Sequence, residues 1–225
     1  MHSTAAKDAS LVSVTTDESS TDRTRGRSRR CDDDTGMPVA YKVSANAIES
    51  VDELLAKDAE DESLRRYKER LLGVAAHGDR GDECDTRRVV VKEFKIEFLE
   101  DGNEDLVYKL STPEGVELMR TTPFVLTESC RYRFVISFQV NKTIVSGLHF
   151  CTNVKKAALA THDKIVLGSY APRSESYVFV FPRREWMKAP SGLFYRGKYT
   201  GKFTFIDDDH IKHLEQLYMF EIKRA

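Results

Sequence analysis

YRFVISFQVNKTIVSGLHF, residues 132–150, sets the reading of the whole chain. Tyr132, Phe134, Ile136, Phe138 and Val140 fall on alternate positions, so an extended backbone carries all five on one face. Asn141-Lys142 interrupts the run, and Ile144, Val145, Leu148 and Phe150 resume it. The pattern predicts a long β-hairpin or strand pair with one strongly apolar, aromatic face. A face that wide needs either a second sheet or a ligand to cover it.

The same alternation continues on both sides. Val89–Phe98 places Phe94, Ile96 and Phe98 together, and Leu106, Tyr108 and Leu110 repeat the period, with a short apolar run at Pro123–Leu126. Downstream come Ile165–Leu167, then Tyr177, Phe179 and Phe181, then Tyr195, Tyr199, Phe203 and Phe205 among three glycines, and last Leu217–Ile222. About eight or nine strands with turn residues between them, and no alternation with helices, predict an antiparallel β-sandwich over residues 89–225. Strand alternation alone does not say whether its sheets enclose a cavity.

Upstream the period changes. Asn46 with Glu49 suits a capping box, followed by an apolar stripe at Ile48, Val51 and Leu54. Asp61 can cap a second helix striped by Leu64, Tyr67, Leu71 and Leu72, with Glu62–Arg66 as a favourable pair and Gly73 as its stop. Two short amphipathic helices have little core of their own, so this arm (residues 41–73) must pack on the main domain or on a partner. Residues 74–88 read as a linker, and their Arg80-Gly81-Asp82 as chance composition. Residues 1–40 contain no aromatic side chain and are expected to be disordered. Their arginine cluster, Arg23 to Arg30, runs straight into Asp32-Asp33-Asp34 and partly neutralises itself.

Composition narrows the function. The 225 residues carry a formal net charge of −1, which gives no support to nucleic-acid binding. No apolar run approaches the roughly 18 residues of a membrane span, and the N-terminal segment has no signal-peptide core. The four cysteines lack zinc-ligand spacing, and reduced thiols in the cytosol are expected. Asp207-Asp208-Asp209-His210 with His213 is the densest cluster of potential ligands, but an acidic loop is the simpler reading than a metal site. His149, on a strand, is expected to be a surface or satisfied side chain rather than a ligand. No nucleotide-loop, nucleophile-elbow or zinc-protease motif is present, so neither enzyme activity nor a cofactor has positive support.

Four ordered segments go further: DESLRRYKERLLG (61–73), FVLTESCRYRFVISFQVNKTIVSG (124–147), LGSYAPRSESYVF (167–179) and FIDDDHIKHL (205–214). Together they resemble the Rho GDP-dissociation inhibitors over roughly residues 41–224. The resemblance implies an immunoglobulin-like sandwich that holds the geranylgeranyl group of a prenylated, GDP-bound Rho-family GTPase. It implies a helical arm that clamps the GTPase switches, a cytoplasmic protein, and contact with membranes only indirectly. On the switch side it points to Asp61, Leu64, Tyr67, Leu71 and Asp209. For the lipid pocket it points to Ile96, Phe124, Ile144, Phe150, Tyr218 and Phe220. For the GTPase's basic tail Asp163 and Glu175 are the acidic candidates, because Arg183-Arg184-Glu185 stands where the family has an acidic pair. Animal members carry two tryptophans in the last strand, where this chain has Gln216 and Tyr218. A general prenyl- or acyl-group carrier, with no effect on nucleotide exchange, is the alternative; the helical arm speaks against it.

Overall fold

Strand pairing splits the aromatic face between two sheets. The computed structural model describes residues 50–57, 60–100, 104–157 and 159–224. One sheet contains β1 (Val89–Phe98), β2 (Leu106–Tyr108), β4 (Arg131–Val140), β7 (Arg173–Phe181) and the two-residue β8 (Met187–Lys188). Its order is β2-β1-β4-β7, with β8 beside the start of β4. The other sheet contains β3 (Phe124–Thr127), β5 (Val145–Lys156), β6 (Leu159–Tyr170), β9 (Gly197–Ile206) and β10 (Lys212–Lys223), in the order β3-β10-β9-β5-β6. All neighbours are antiparallel except β3 and β10, which run parallel. The architecture is the expected mainly-β sandwich.

The expected hairpin at 132–150 is not one. Strand β4 pairs with β1 and β7, and β5 with β6 and β9, so the two halves of the stretch face each other across the core. The physical reason lies at the corner. Asn141 is fully buried and bonds to neither strand partner: its side chain donates to the Arg87 carbonyl (3.0 Å) and accepts from the Asp82 N–H (2.9 Å). The Lys142 N–H, at φ 67°, donates to the Arg80 carbonyl (2.8 Å). The segment before β1 therefore takes up the corner's polar groups, and the chain crosses from one sheet to the other. The crossing buries both aromatic faces at once. Phe94 stacks on Phe203 with ring centroids 5.2 Å apart, and Phe150 lies 6.1 Å from Phe94.

One helix escapes strand alternation altogether. Between β2 and β3, residues Pro113–Thr121 form a helix that packs on β10. Thr112 caps it by accepting from the Gly115 N–H (3.2 Å), and Pro113 occupies the first turn, where no N–H is needed. Gln216, buried on β10, donates to the Val116 carbonyl (2.9 Å). Thr-Pro-Glu is a usable start signal, but nine residues between two strand patterns give too few turns for periodicity to show.

In the arm, α1 (Val51–Ala56) and α2 (Glu62–Leu72) are followed by a 3₁₀ turn, Gly73–His77, and the helix 113–121 is α3. The capping box of α1 is Ser50 with Glu53: the Ser50 hydroxyl accepts from the Glu53 N–H, and the Ser50 N–H donates to the Glu53 carboxylate. The Asn46–Glu49 box falls outside the described residues. Asp61 caps α2 as expected, accepting from the Leu64 N–H at 3.0 Å, and Gly73 ends it with a positive φ. Val51, Leu72 and Ala75 are buried in a small second core together with Ile144 and Ala171 from the sandwich. Arg80 pairs with Asp52 at 2.5 Å, and Asp79 accepts from the Ser174 N–H and hydroxyl. Residues 79–88 thus lie hydrogen-bonded along the sandwich. The remaining stripe faces outward: Tyr67 is 59% and Leu71 69% exposed.

Ile144 therefore joins the arm to the sandwich, and Ile144→Asp is expected to release the arm. A carboxylate among Val51, Leu72 and Ala75 loses the apolar contact and adds a desolvation cost, together about 2–3 kcal/mol. Amide hydrogen exchange should accelerate across residues 51–77 while the β5–β9 amides keep their protection. Unchanged protection in the arm would refute this assignment.

Candidate functional site: an apolar cavity between the sheets

Where the aromatic side chains stack along one sheet rather than across both, the sandwich stays open. On β10 and its neighbours, Phe220 stacks on Tyr199 with centroids 4.6 Å apart and on Phe124 at 5.4 Å, and Tyr218 continues the row, 6.2 Å from Phe124. These rings coat a wall. Beside them, Phe94 and Phe134 of the other sheet meet Phe150 and Phe203 across the core, and all four also line the space. That space is a cavity of about 540 Å³, within the size range of small-molecule sites. Met119 of α3 also lines it. Its rim carries Lys156, Lys188, Pro190, Ser191, Phe194 and Tyr195, several of them exposed, so the space reaches solvent there.

Few polar atoms enter it. The Tyr218 hydroxyl lies 3.0 Å from the Thr152 hydroxyl, which gives this half-buried phenol its partner. Burial pushes the Tyr218 phenol up to about 12, with the Thr152 contact offsetting part of the rise, and burial raises Tyr132 as well. Both are neutral over the physiological range, as suits an apolar ligand. Gly201, directly opposite Tyr218 on β9, gives the ring its place: a β-carbon there would sit 2.2 Å from Tyr218 Cζ.

The acidic loop after β9 is a structural network. Asp207 is buried and accepts from Arg88 and from the Ile211 N–H (2.9 Å), and His213 Nε2 lies 2.8 Å away. Asp208 meets His149 Nε2 at 2.8 Å, and Asp209 accepts from Arg88 at 3.2 Å. Among the described residues no group of three potential ligands is placed to hold a metal. Cys84 and Cys130 carry free thiols, and burial pushes the Cys130 thiol up to about 11.

The family model described as RHO protein GDP dissociation inhibitor matches residues 27–225. The chain belongs to the Rho GDP-dissociation inhibitor family. Putative rho GDP-dissociation inhibitor 1 of Dictyostelium discoideum is 44% identical over 175 residues, covering 77% of this chain and 86% of that protein. Rho GDP-dissociation inhibitor 1 of Bos taurus is 36% identical over 188 residues, covering 83% and 86%. The Arabidopsis thaliana protein of the same name is 34% identical over 179 residues, covering 78% and 70%.

Within this inhibitor fold the residues singled out from sequence separate into groups. Phe124, Phe150, Tyr218 and Phe220 line the cavity. Ile96 is fully buried in the main core, and Ile144 packs under the arm; neither is among the lining residues. Asp61 caps α2, Leu64, Tyr67 and Leu71 lie on it, and Asp209 sits on the acidic loop, linked to residue 88 at the start of the sandwich. Asp163 and Glu175 lie on the edge strands of opposite sheets. Burial raises the Asp163 carboxyl above its ordinary value, and one of its oxygens has no partner, whereas Glu175 is exposed. Sequence reasoning missed Met119, Thr152 and the rim at 188–195. The last contains Pro190-Ser191-Gly192, whose turn residues carry no apolar period.

Proposed function

We propose that this chain binds a prenylated, GDP-bound Rho-family GTPase, slows release of its GDP and removes it from membranes by housing the geranylgeranyl group in the cavity. The observation that carries the reading is the open aromatic cavity in the same molecule as an arm whose Tyr67 and Leu71 face solvent. A lipid carrier needs only the first; a GTPase regulator needs both. The mechanism is binding alone, with no covalent step. Burial is worth about 0.8 kcal/mol per CH₂, so some twenty prenyl carbons give a gross term above about 10 kcal/mol. The bilayer offers the lipid nearly the same burial, so contacts of the arm with the GTPase supply the difference that drives extraction. Asp61, Leu64, Tyr67, Leu71 and Asp209 are the residues we assign to the switches, and we place the protein in the cytoplasm. No helix among the described residues is long and apolar enough to cross a membrane.

The test is fluorescent-GDP release from prenylated and unprenylated Rho-family GTPase, with the full chain added. Slowed release that is stronger for the prenylated form is expected. Lipid binding with no effect on release would leave a plain prenyl carrier. In the same assay Asp61→Ala should weaken inhibition about tenfold or more, since a hydrogen bond to a charged group contributes about 1.5–3 kcal/mol. Asp61→Asn keeps the helix cap, which is worth about 1 kcal/mol, and so separates loss of the charge from loss of the helix. Inhibition by Asp61→Ala equal to that of the unaltered chain would remove this carboxylate from the mechanism.

A further inference from the structure

The connection between β8 and β9 ends in a tight turn whose tip is apolar. The Tyr195 N–H donates to the Gly192 carbonyl (3.0 Å), which leaves Leu193 and Phe194 as the two central residues. Turn centres ordinarily carry Gly, Asn, Asp or Ser. Here Leu193 is 75% and Phe194 91% exposed. The exposure is built into the fold rather than left over from it. Glu128 accepts from the Gly192 N–H (2.7 Å) and from Arg196 (2.9 Å), so one carboxylate holds both ends of the turn. From the other side the Lys156 ammonium donates to the carbonyls of Phe194 and Arg196. Phe194, Lys156 and Lys188 all border the cavity. Lys155 and Lys188 are exposed, and among the described residues neither they nor Lys156 have a carboxylate partner.

We propose that this turn is a membrane-docking wedge: Leu193 and Phe194 enter the interface of an anionic bilayer while Lys155, Lys156 and Lys188 meet its headgroups. Two side chains on a narrow tip offer far less than the roughly 1,000 Å² that a specific protein interface needs. The same two side chains suit shallow insertion between headgroups, where aromatic and leucine residues gain from partial burial. The unneutralised lysines match a negative lipid surface in charge. The wedge is continuous with the cavity rim, so a prenyl chain leaving the bilayer would enter the cavity without crossing water. In that respect the proposal rests on the lipid reading of the cavity.

The test is co-sedimentation of the full chain, without any GTPase, on phosphatidylcholine vesicles with and without phosphatidylserine. Binding that requires phosphatidylserine is expected, falling about tenfold in the Leu193→Ser/Phe194→Ser double variant. Lys188→Ala should cost about fivefold on the phosphatidylserine vesicles. Both sites are exposed, so the melting curves should not move. In vesicle-free buffer Leu193→Ser alone, a position outside the cavity lining, should bind soluble geranylgeranyl-cysteine as the unaltered chain does. If the unaltered chain fails to bind that compound, the cavity reading falls while the vesicle result still judges the wedge. Equal sedimentation of the unaltered chain and the double variant would overturn the wedge. So would a double variant whose only loss is affinity for a soluble GTPase, which would give the tip to a protein partner.

Discussion

Replacing Asp207 with alanine is expected to lower the melting temperature of the sandwich by about 6–20 °C. The carboxylate is buried, and it is held by Arg88, by the Ile211 N–H and by His213. Arg88 is itself largely buried, and its Nε and one terminal nitrogen have no partner. Removing Asp207 strands that charge with Asp209 alone. Breaking a buried pair from one side costs about 3–5 kcal/mol, and each kcal/mol moves the melting point of a domain this size by about 2–4 °C. The pH dependence has a defined sign. Burial raises the Asp207 carboxyl, but the His213 contact, the Ile211 N–H and Arg88 outweigh it, so its folded value lies below the ordinary carboxylate range. A depressed carboxylate contributes stability above the unfolded value of about 4 and loses it as pH falls through the folded value. Thermal melts from neutral pH down to about pH 2 should therefore show an acid-side loss of stability that Asp207→Ala flattens. A variant that melts with the unaltered protein at neutral pH would show that the network contributes nothing net.

The same loop shows what sequence reasoning could reach. Asp207-Asp208-Asp209 read as an acidic loop from composition, and His149 as a surface or satisfied side chain, yet nothing local named Arg88 or His149 as the counterparts. These lie 119 and 59 positions away from their carboxylates. Alternation is a local property, so it placed strands well: Val89–Phe98 was legible to the residue. It assigns side chains to faces but not strands to sheets. That is why residues 132–150 read as a hairpin or strand pair, although Asn141 turns the chain into the opposite sheet. Ile144, which the resemblance pointed to for the pocket, packs instead beneath the arm against Val51, Leu72 and Ala75. The cavity itself was invisible to periodicity, since a ring stacked along a wall and a ring filling the core occupy the same kind of position. Resemblance to a family pointed to Phe124, Phe150, Tyr218 and Phe220, and the geometry places those four at the cavity.

Gly201→Ala is expected to close much of that cavity and to weaken lipid binding by about a hundredfold. Glycine is not needed at this position for its backbone, since Gly201 is not among the glycines with positive φ. It is needed for room. An added β-carbon would meet Tyr218 Cζ at 2.2 Å, Cε1 at 2.5 Å and Cε2 at 2.6 Å, so the ring must leave the wall. Along the wall it is confined by Phe220 and Phe124, which leaves the cavity as the open direction. Leaving the wall also breaks the contact with Thr152. A ring in the cavity excludes about four prenyl carbons, which at about 0.8 kcal/mol each comes to about 3 kcal/mol of lost burial. Overpacking alone would cost stability, about 1–3 kcal/mol, without this specific loss of ligand. Removing the obstructing ring separates the two effects. Gly201→Ala/Tyr218→Ala should recover the affinity of Tyr218→Ala alone, a non-additivity that marks direct contact between the two positions. Titration with a fluorescent geranylgeranyl-cysteine, alongside melting curves, reads both quantities. Undiminished binding by Gly201→Ala, or a double variant as weak as the single glycine replacement, would show that Tyr218 does not gate the cavity.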